Sequence, residues 1–244
     1  MKIVPVLDLL KGVVVHGVKG ERKCYQPVKS LLTDSTDPLK VARALHAETN
    51  CHAFYIADLD AIQETGNNRS VIKEISTRLN VALWGDAGTT DLKSVKQLLV
   101  AGADVVIIGS ETLTSLQQLR TICGSITQKK IIFSLDISKG TVLSRAPSLA
   151  GVRPMEALKL LIQEGLDRFI LLTLDAVGTA QGPDLPILRE AVQNFPSVSF
   201  ITGGGVKTPT HLHDLSTAGA RHGLVATSLH KGWITGRTMP SSLK

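Results

Sequence analysis

The chain is poor in aromatic side chains, poor in cysteine, and has no long apolar run. Phe, Trp and Tyr make up 4% of its 244 residues. That leaves few rings on which bases could stack. The formal net charge of +6 therefore reads as a solvated basic surface, and nucleic acid is not an expected partner. The three cysteines, Cys24, Cys51 and Cys123, share no spacing, which excludes a disulfide framework and a metal knuckle. Reduced thiols and a cytoplasmic setting are the expectation. No apolar stretch approaches the roughly 18 residues of a membrane span. Met1-Lys2-Ile3-Val4-Pro5 runs straight into a strand pattern holding Asp8, unlike a signal peptide. The histidines show no metal-ligand spacing at strand ends, and His211 and His213, two apart on a helix, do not share a face. No metal, no other cofactor and no membrane partner are expected.

Hydrophobic residues are 43% of the chain and charged residues 20%, enough for one large core. Short apolar runs rich in β-branched residues recur at Ile3–Leu7, Ala53–Ala57, Val81–Trp84, Val105–Ile108, Ile131–Leu135, Phe169–Leu172, Val198–Ile201 and Gly223–Val225. They are continuous rather than alternating, the pattern of strands buried on both faces of a parallel sheet. Amphipathic segments lie between them: Pro38–Glu48 behind an N-cap at Asp37, then Ser70–Leu79, Asp91–Ala101, Ser115–Ile122, Pro154–Glu164, Leu185–Gln193 and Thr210–Ala218. Strand–helix alternation of this length predicts an α/β protein, a single (β/α)8 TIM barrel. The rival is a doubly wound open sheet, but no G-x-G-x-x-G follows the first strand.

An internal repeat supports the barrel. Ile3-Val-Pro-Val-Leu-Asp-Leu-Leu-Lys-Gly-Val-Val-Val15 is echoed by Ile131-Ile-Phe-Ser-Leu-Asp-Ile-Ser-Lys-Gly-Thr-Val-Leu143, so Asp8 answers to Asp136, Lys11 to Lys139 and Gly12 to Gly140. Phe54-Tyr-Ile-Ala-Asp-Leu-Asp-Ala-Ile62 matches Phe169-Ile-Leu-Leu-Thr-Leu-Asp-Ala-Val177, and Val81–Gly88 matches Val198–Gly205. The chain reads as one domain over residues 1–232, built from homologous half-barrels of about 1–125 and 126–232. Residues 233–244 lose periodicity and are expected as a short helix and a loose basic tail.

Chemistry in a TIM barrel sits at the carboxyl ends of the strands. Asp8 and Asp136 end strands one and five, and a buried carboxylate near another gains proton affinity and can act as acid or base. Asp175 ends strand six, followed by Gly178 and Thr179. Asp58 and Asp60 end strand two and are expected to cap loops. After strands seven and eight come Gly203, Gly204, Gly205, Thr227 and Ser228, a glycine run and a helix start suited to phosphate. A second phosphate position in the first half would use Gly88, Gly109 and Ser110, but Asp86 stands in that loop and opposes it.

These motifs, with Gly178-Thr-Ala-Gln-Gly-Pro-Asp184 and Thr202-Gly-Gly-Gly-Val206, resemble the two barrels of histidine biosynthesis. These are the phosphoribosylformimino-aminoimidazole-carboxamide ribotide isomerase and the cyclase subunit of imidazole glycerol phosphate synthase. The resemblance covers residues 1 to about 232, and the length and the Gly-Pro-Asp lean toward the isomerase. It implies an Amadori rearrangement of an aminoaldose to an aminoketose by two carboxyl groups. One matches Asp8. The other should immediately precede the Gly-Thr after strand six, where this chain has Val177, so Asp136 or Asp175 would have to replace it. The first-half glycine run is Gly-Asp-Ala-Gly here, an expected arginine after strand one is His16, and a glycine of strand eight is Ala226. Arg145 matches an arginine of the pattern, without the tryptophan that follows it there. A divergent paralogue is expected: an isomerase-like enzyme on a phosphorylated aminosugar or ribotide with a changed substrate. The alternatives are a cyclase-like subunit fed ammonia by a glutaminase partner, or a non-catalytic barrel binding a phosphorylated metabolite.

Overall fold

The computed structural model describes residues 1–17 and 22–239. Eight strands form one parallel sheet: β1 (Lys2–Leu10), β2 (Ala53–Asp58), β3 (Ala82–Asp86), β4 (Val105–Gly109), β5 (Ile131–Ser138), β6 (Arg168–Thr173), β7 (Ser199–Gly203) and β8 (His222–Val225). Each pairs with its neighbour in sequence, and β8 pairs in parallel with β1 through Lys2–His222, Ile3–Gly223, Val4–Leu224 and Pro5–Val225. That last pairing closes the barrel. The helices α1 (Pro38–Thr49), α2 (Arg69–Arg78), α3 (Leu92–Val100), α4 (Leu116–Ser125), α5 (Pro154–Gln163), α6 (Leu185–Asn194), α7 (Pro209–Thr217) and the short α8 (Thr227–His230) follow the strands in turn. Asp37 caps α1 by accepting from Lys40 N–H at 2.9 Å, and Asp91 and Ser94 form a reciprocal capping box at α3. No helix among the described residues is long and apolar enough to cross a membrane.

Successive strand residues point to opposite faces, and two apolar clusters result. Leu7, Phe54, Ile56, Phe133, Phe169 and Phe200 face the helices. Val4, Tyr55, Trp84, Ile107, Ile132, Ile170 and Ile201 fill the barrel interior. The interior parity on β1 runs Val4, Val6, Asp8. On β3 it runs Trp84, Asp86, and on β5 Ile132, Ser134, Asp136. Three carboxylates therefore point inward at the carboxyl end because of where they fall in the alternation.

The repeat is visible in the backbone. Leu10 pairs with Val13 and Ser138 with Thr141, leaving two-residue turns at Lys11-Gly12 and Lys139-Gly140. Their φ values are +52° and +78° in the first turn and +50° and +79° in the second. Two positive φ values are what a type I′ hairpin turn requires, and glycine supplies the second at no steric cost. The first turn sends Val13–His16 back along β1, a short antiparallel strand absent from the sequence-based reading. Each turn is held by an acid of the next strand's loop: Lys11 N–H donates to Asp60 Oδ2 at 2.6 Å, and Lys139 N–H to Asp175 Oδ2 at 2.9 Å. Asp60 and Asp175 are repeat partners. Asp58 caps the loop as expected, accepting from the N–H groups of Ala61 and Asn68.

The expected loose tail needs correction. The short helix lies before Gly232, at Thr227–His230, and the chain beyond it is docked. Ile234 is fully buried, Met239 is 4% exposed, and Gly236 N–H donates to Glu48 Oε1 at 2.7 Å. The apolar residues are too few to show a period, yet they fit between the barrel and α1. Residues 240–244 lie outside the described residues. Replacing Ile234 with alanine should cost about 2–5 kcal/mol in urea unfolding, the range for emptying a packed aliphatic site; an unchanged midpoint would restore the loose tail.

Candidate active site

A cavity of about 290 Å³ occupies the carboxyl end of the barrel, lined from the ends of all eight strands. The inward parity brings Asp8, Asp86 and Asp136 into it. Glu111 from the loop after β4 and Asp175 from the loop after β6 join them. His16 and Gly17 arrive by the hairpin arm; a Cβ on Gly17 would stand 2.7 Å from Asp8 Oδ2. Asp8 and Asp136 sit on strands four apart in an eight-stranded ring, on opposite sides of the mouth.

Asp136 is 7% exposed. Burial, then the neighbouring charges of Asp86 and Glu111, push its carboxyl from 3.8 up to about 7, against hydrogen bonds from Glu111 N–H and Ser134 that pull it down. Its bonds are long: 3.2 Å from Ser134 Oγ and 3.4 Å from Glu111 N. Tyr55, on β2, donates its hydroxyl to Asp86 Oδ2 at 2.7 Å. Burial and then Asp86 raise that phenol well above its ordinary value. His16 and His230 are both held below the ordinary histidine value by burial, His230 at about 4 with the help of His16 and Lys231. Both are neutral imidazoles at neutral pH. Among the described residues no cluster of His, Cys, Asp and Glu is arranged to hold a metal ion.

The opposite rim has a different character. Gly204 and Gly205, at φ +85° and +70°, line the cavity with Ala226 and Thr227. A side chain on Gly205 would collide with the Gly182 carbonyl, so only glycine lets the two loops touch. Thr227 opens α8, whose first N–H groups have no partner within the helix, and its Oγ1 lies 3.4 Å from His16 Nε2. Val177 packs against Gly204 and lines the cavity, an alkyl group between Asp175 and the glycine turn.

The structure thus brings together Asp8, Asp136, Asp175, Gly178, Gly204, Gly205 and Thr227. The other sequence-predicted site residues stand outside the cavity wall. Gly203 is packed against Leu224. Ser228 is fully buried and donates to the Val206 carbonyl at 2.7 Å. The Thr179 hydroxyl donates to the Ala176 carbonyl, and that of Ser110 to the Leu143 carbonyl. Gly88 abuts the Ile62 backbone and Gly109 lies beside Thr112. Arg145 forms a 3.2 Å ion pair with Glu64, with both side chains more than half exposed, a contact worth at most about 1 kcal/mol. The sequence places Glu111 in the loop after strand four without marking it as a site residue, and Tyr55 reads there as one more residue of an apolar strand. The signal for Tyr55 was its parity with the residues flanking Asp8 and Asp86.

The histidine biosynthesis protein family matches residues 2–235 of the chain. The chain belongs to this family. Relatives within it span nearly the whole length. An uncharacterised protein of Methanocaldococcus jannaschii is 31% identical over 234 residues, 95% of this chain and 94% of its own. A 1-(5-phosphoribosyl)-5-((5-phosphoribosylamino)methylideneamino) imidazole-4-carboxamide isomerase of Cenarchaeum symbiosum is 28% identical over 236 residues, 96% and 97% of the two chains. The imidazole glycerol phosphate synthase subunit HisF of Streptococcus sanguinis is 28% identical over 242 residues, 96% and 92%. Like this histidine-biosynthesis barrel, both named relatives belong to chains of barrel length, and the identity to each is alike.

The raised Asp136 carboxyl has a thermodynamic consequence. The folded chain keeps a proton that the unfolded chain releases, so this contribution to stability is complete below about pH 3.8 and is lost as pH rises through about 7. Asp136→Asn removes the effect. Across a series of thermal melts from pH 4 to 8, the variant should gain on the wild type by roughly 2–4 kcal/mol; parallel curves would show an ordinary carboxyl.

Proposed function

We propose that the chain is an isomerase-type enzyme acting on a monophosphorylated aminosugar or ribotide-like substrate, by carboxyl acid–base chemistry at Asp8 and Asp136. The observation that carries this reading is a proton-holding carboxyl, Asp136, at the repeat-equivalent position to a second carboxylate, Asp8, in one cavity. An Amadori rearrangement needs both: a group that protonates the ring oxygen so that the sugar opens to an imine, and a group that takes the adjacent carbon-bound proton. Asp136 suits the first task and Asp8 the second. Asp175 is the weaker alternative, because its carboxylate already holds the Lys139 turn.

The phosphate belongs at the second-half rim, against Gly204, Gly205 and Thr227, where N–H groups and glycine clearance favour an anion. The first-half rim carries Asp86 and Glu111 in the corresponding loops, and two carboxylates disfavour a second phosphate there. An ammonium or amide group is the better complement, and an aminosugar has one. This is the reason for placing the chain apart from an isomerase of doubly phosphorylated ribotides.

Asp8→Asn should lower turnover of a monophosphorylated aminosugar by at least about 100-fold while its binding, measured calorimetrically, stays within a few-fold. Turnover left intact would remove Asp8 from the chemistry and favour a binding barrel. Conversion of the bis-phosphorylated ribotide at rates usual for the isomerase would sink the changed-substrate reading.

A further inference from the structure

Tyr55 is a buried phenol among the apolar residues of the barrel interior. Its repeat partner in the second half is Ile170, which fills the same interior layer without a hydroxyl. Asp86 likewise has a glycine, Gly203, as its repeat partner. The phenol–carboxylate pair therefore exists in one half only.

The pair lines the same cavity as Asp136, and the Asp86 charge is among the causes that raise the Asp136 carboxyl. Asp86 accepts the Tyr55 hydroxyl at 2.7 Å and the Gly88 N–H at 3.3 Å. The phenol bond is shorter than the contacts that reach the Asp136 carboxyl, and a donor favours the charged form of its acceptor. The hydrogen bonds that reach the Asp136 carboxyl from Ser134, Ser110 and Glu111 measure 3.2–3.4 Å, and Ser110 Oγ makes a shorter bond of 2.9 Å to the Leu143 carbonyl. Two buried, interacting carboxyl groups share a proton as a unit, and the better-solvated partner ionises first. The ionisable groups around them are Asp8 from β1, Tyr55 from β2, Asp86 from β3 and Glu111 after β4, with Tyr25, Asp175, His16 and His230 elsewhere on the cavity wall.

We propose that Tyr55 is a positioning residue: its hydroxyl holds Asp86 as the carboxylate, and Asp86 in turn keeps the exchangeable proton on Asp136. The inference rests on the reading of Asp136 as the general acid. In the reaction Asp136 gives that proton to the substrate oxygen and becomes a carboxylate, Asp8 receives the carbon-bound proton, and the two exchange with solvent or product afterwards. Tyr55 and Asp86 neither gain nor lose a proton.

Carboxyl-carbon NMR titration of protein labelled at aspartate, with the Asp136 signal assigned by its loss in Asp136→Asn, tests this without any substrate. In Tyr55→Phe the Asp136 midpoint should fall by about one unit or more while that of Asp86 rises, because the proton moves to the group that lost its donor. In Asp86→Asn the Asp136 midpoint should fall at least as far. A purely structural Tyr55 would lower the melting temperature and leave the Asp136 midpoint in place, and that result overturns the proposal. If Tyr55→Phe does not fold, Asp86→Asn decides: an unmoved Asp136 midpoint overturns it equally. Because the readout is a titration, a barrel that shows the shifts but turns over no aminosugar would refute the proposed activity and leave this inference standing.

Discussion

Closure of the sheet by the β1–β8 pairing is the constraint on which everything else in this molecule depends. An eight-stranded parallel sheet with that pairing has no free edge, and each strand must present alternate residues to an enclosed interior. The interior is narrow, so its end layers are shared by a few side chains. Any polar residue on the inward parity at a strand's carboxyl end is then forced into company with its counterparts. Asp8, Asp86 and Asp136 meet for that reason, although long stretches of sequence separate them.

Crowding carboxylates in this way is costly, and the site shows how the cost is distributed. Asp86 has a phenol donor. Asp136 has weaker partners and retains a proton near neutrality. The same three positions would be unremarkable on a solvated loop, where water screens like charges. Enclosure is what lets burial and the neighbouring acids raise the Asp136 carboxyl.

The two half-barrels kept their scaffolding and parted in their chemistry. Both retain a Lys-Gly turn with two positive φ values and an aspartate that accepts from the lysine N–H. Both retain the acid that ends the first strand of the half. They differ at the carboxyl ends of the strands: Asp86 and Glu111 in the first half against Gly203 and Ser228 in the second, with Tyr55 against Ile170. The shared features are backbone turns and their aspartate acceptors, and the differences are polar side chains at the carboxyl end of the barrel.

Much of this was legible in the chain alone. Continuous β-branched runs, N-cap residues and the internal echo determined the barrel and its halves, because strand and helix periodicity are local. Asp8 and Asp136 were legible as acids at strand ends and Asp58 and Asp60 as loop caps, while Val177 stood out only through the family resemblance. Side-chain bonding was not. That Ser110, Thr179 and Ser228 spend their hydroxyls on backbone carbonyls, that Arg145 pairs with Glu64, and that Ile234 and Met239 dock the end of the chain are contacts between segments distant in sequence. Tyr55 reads as one more apolar residue until the parity of β2 aims it at Asp86. The sequence by itself determined which strand ends carry acids and glycines; only the tertiary structure decided which of those groups line the cavity and which are tied up in the backbone, because that depends on burial and on contacts that folding supplies.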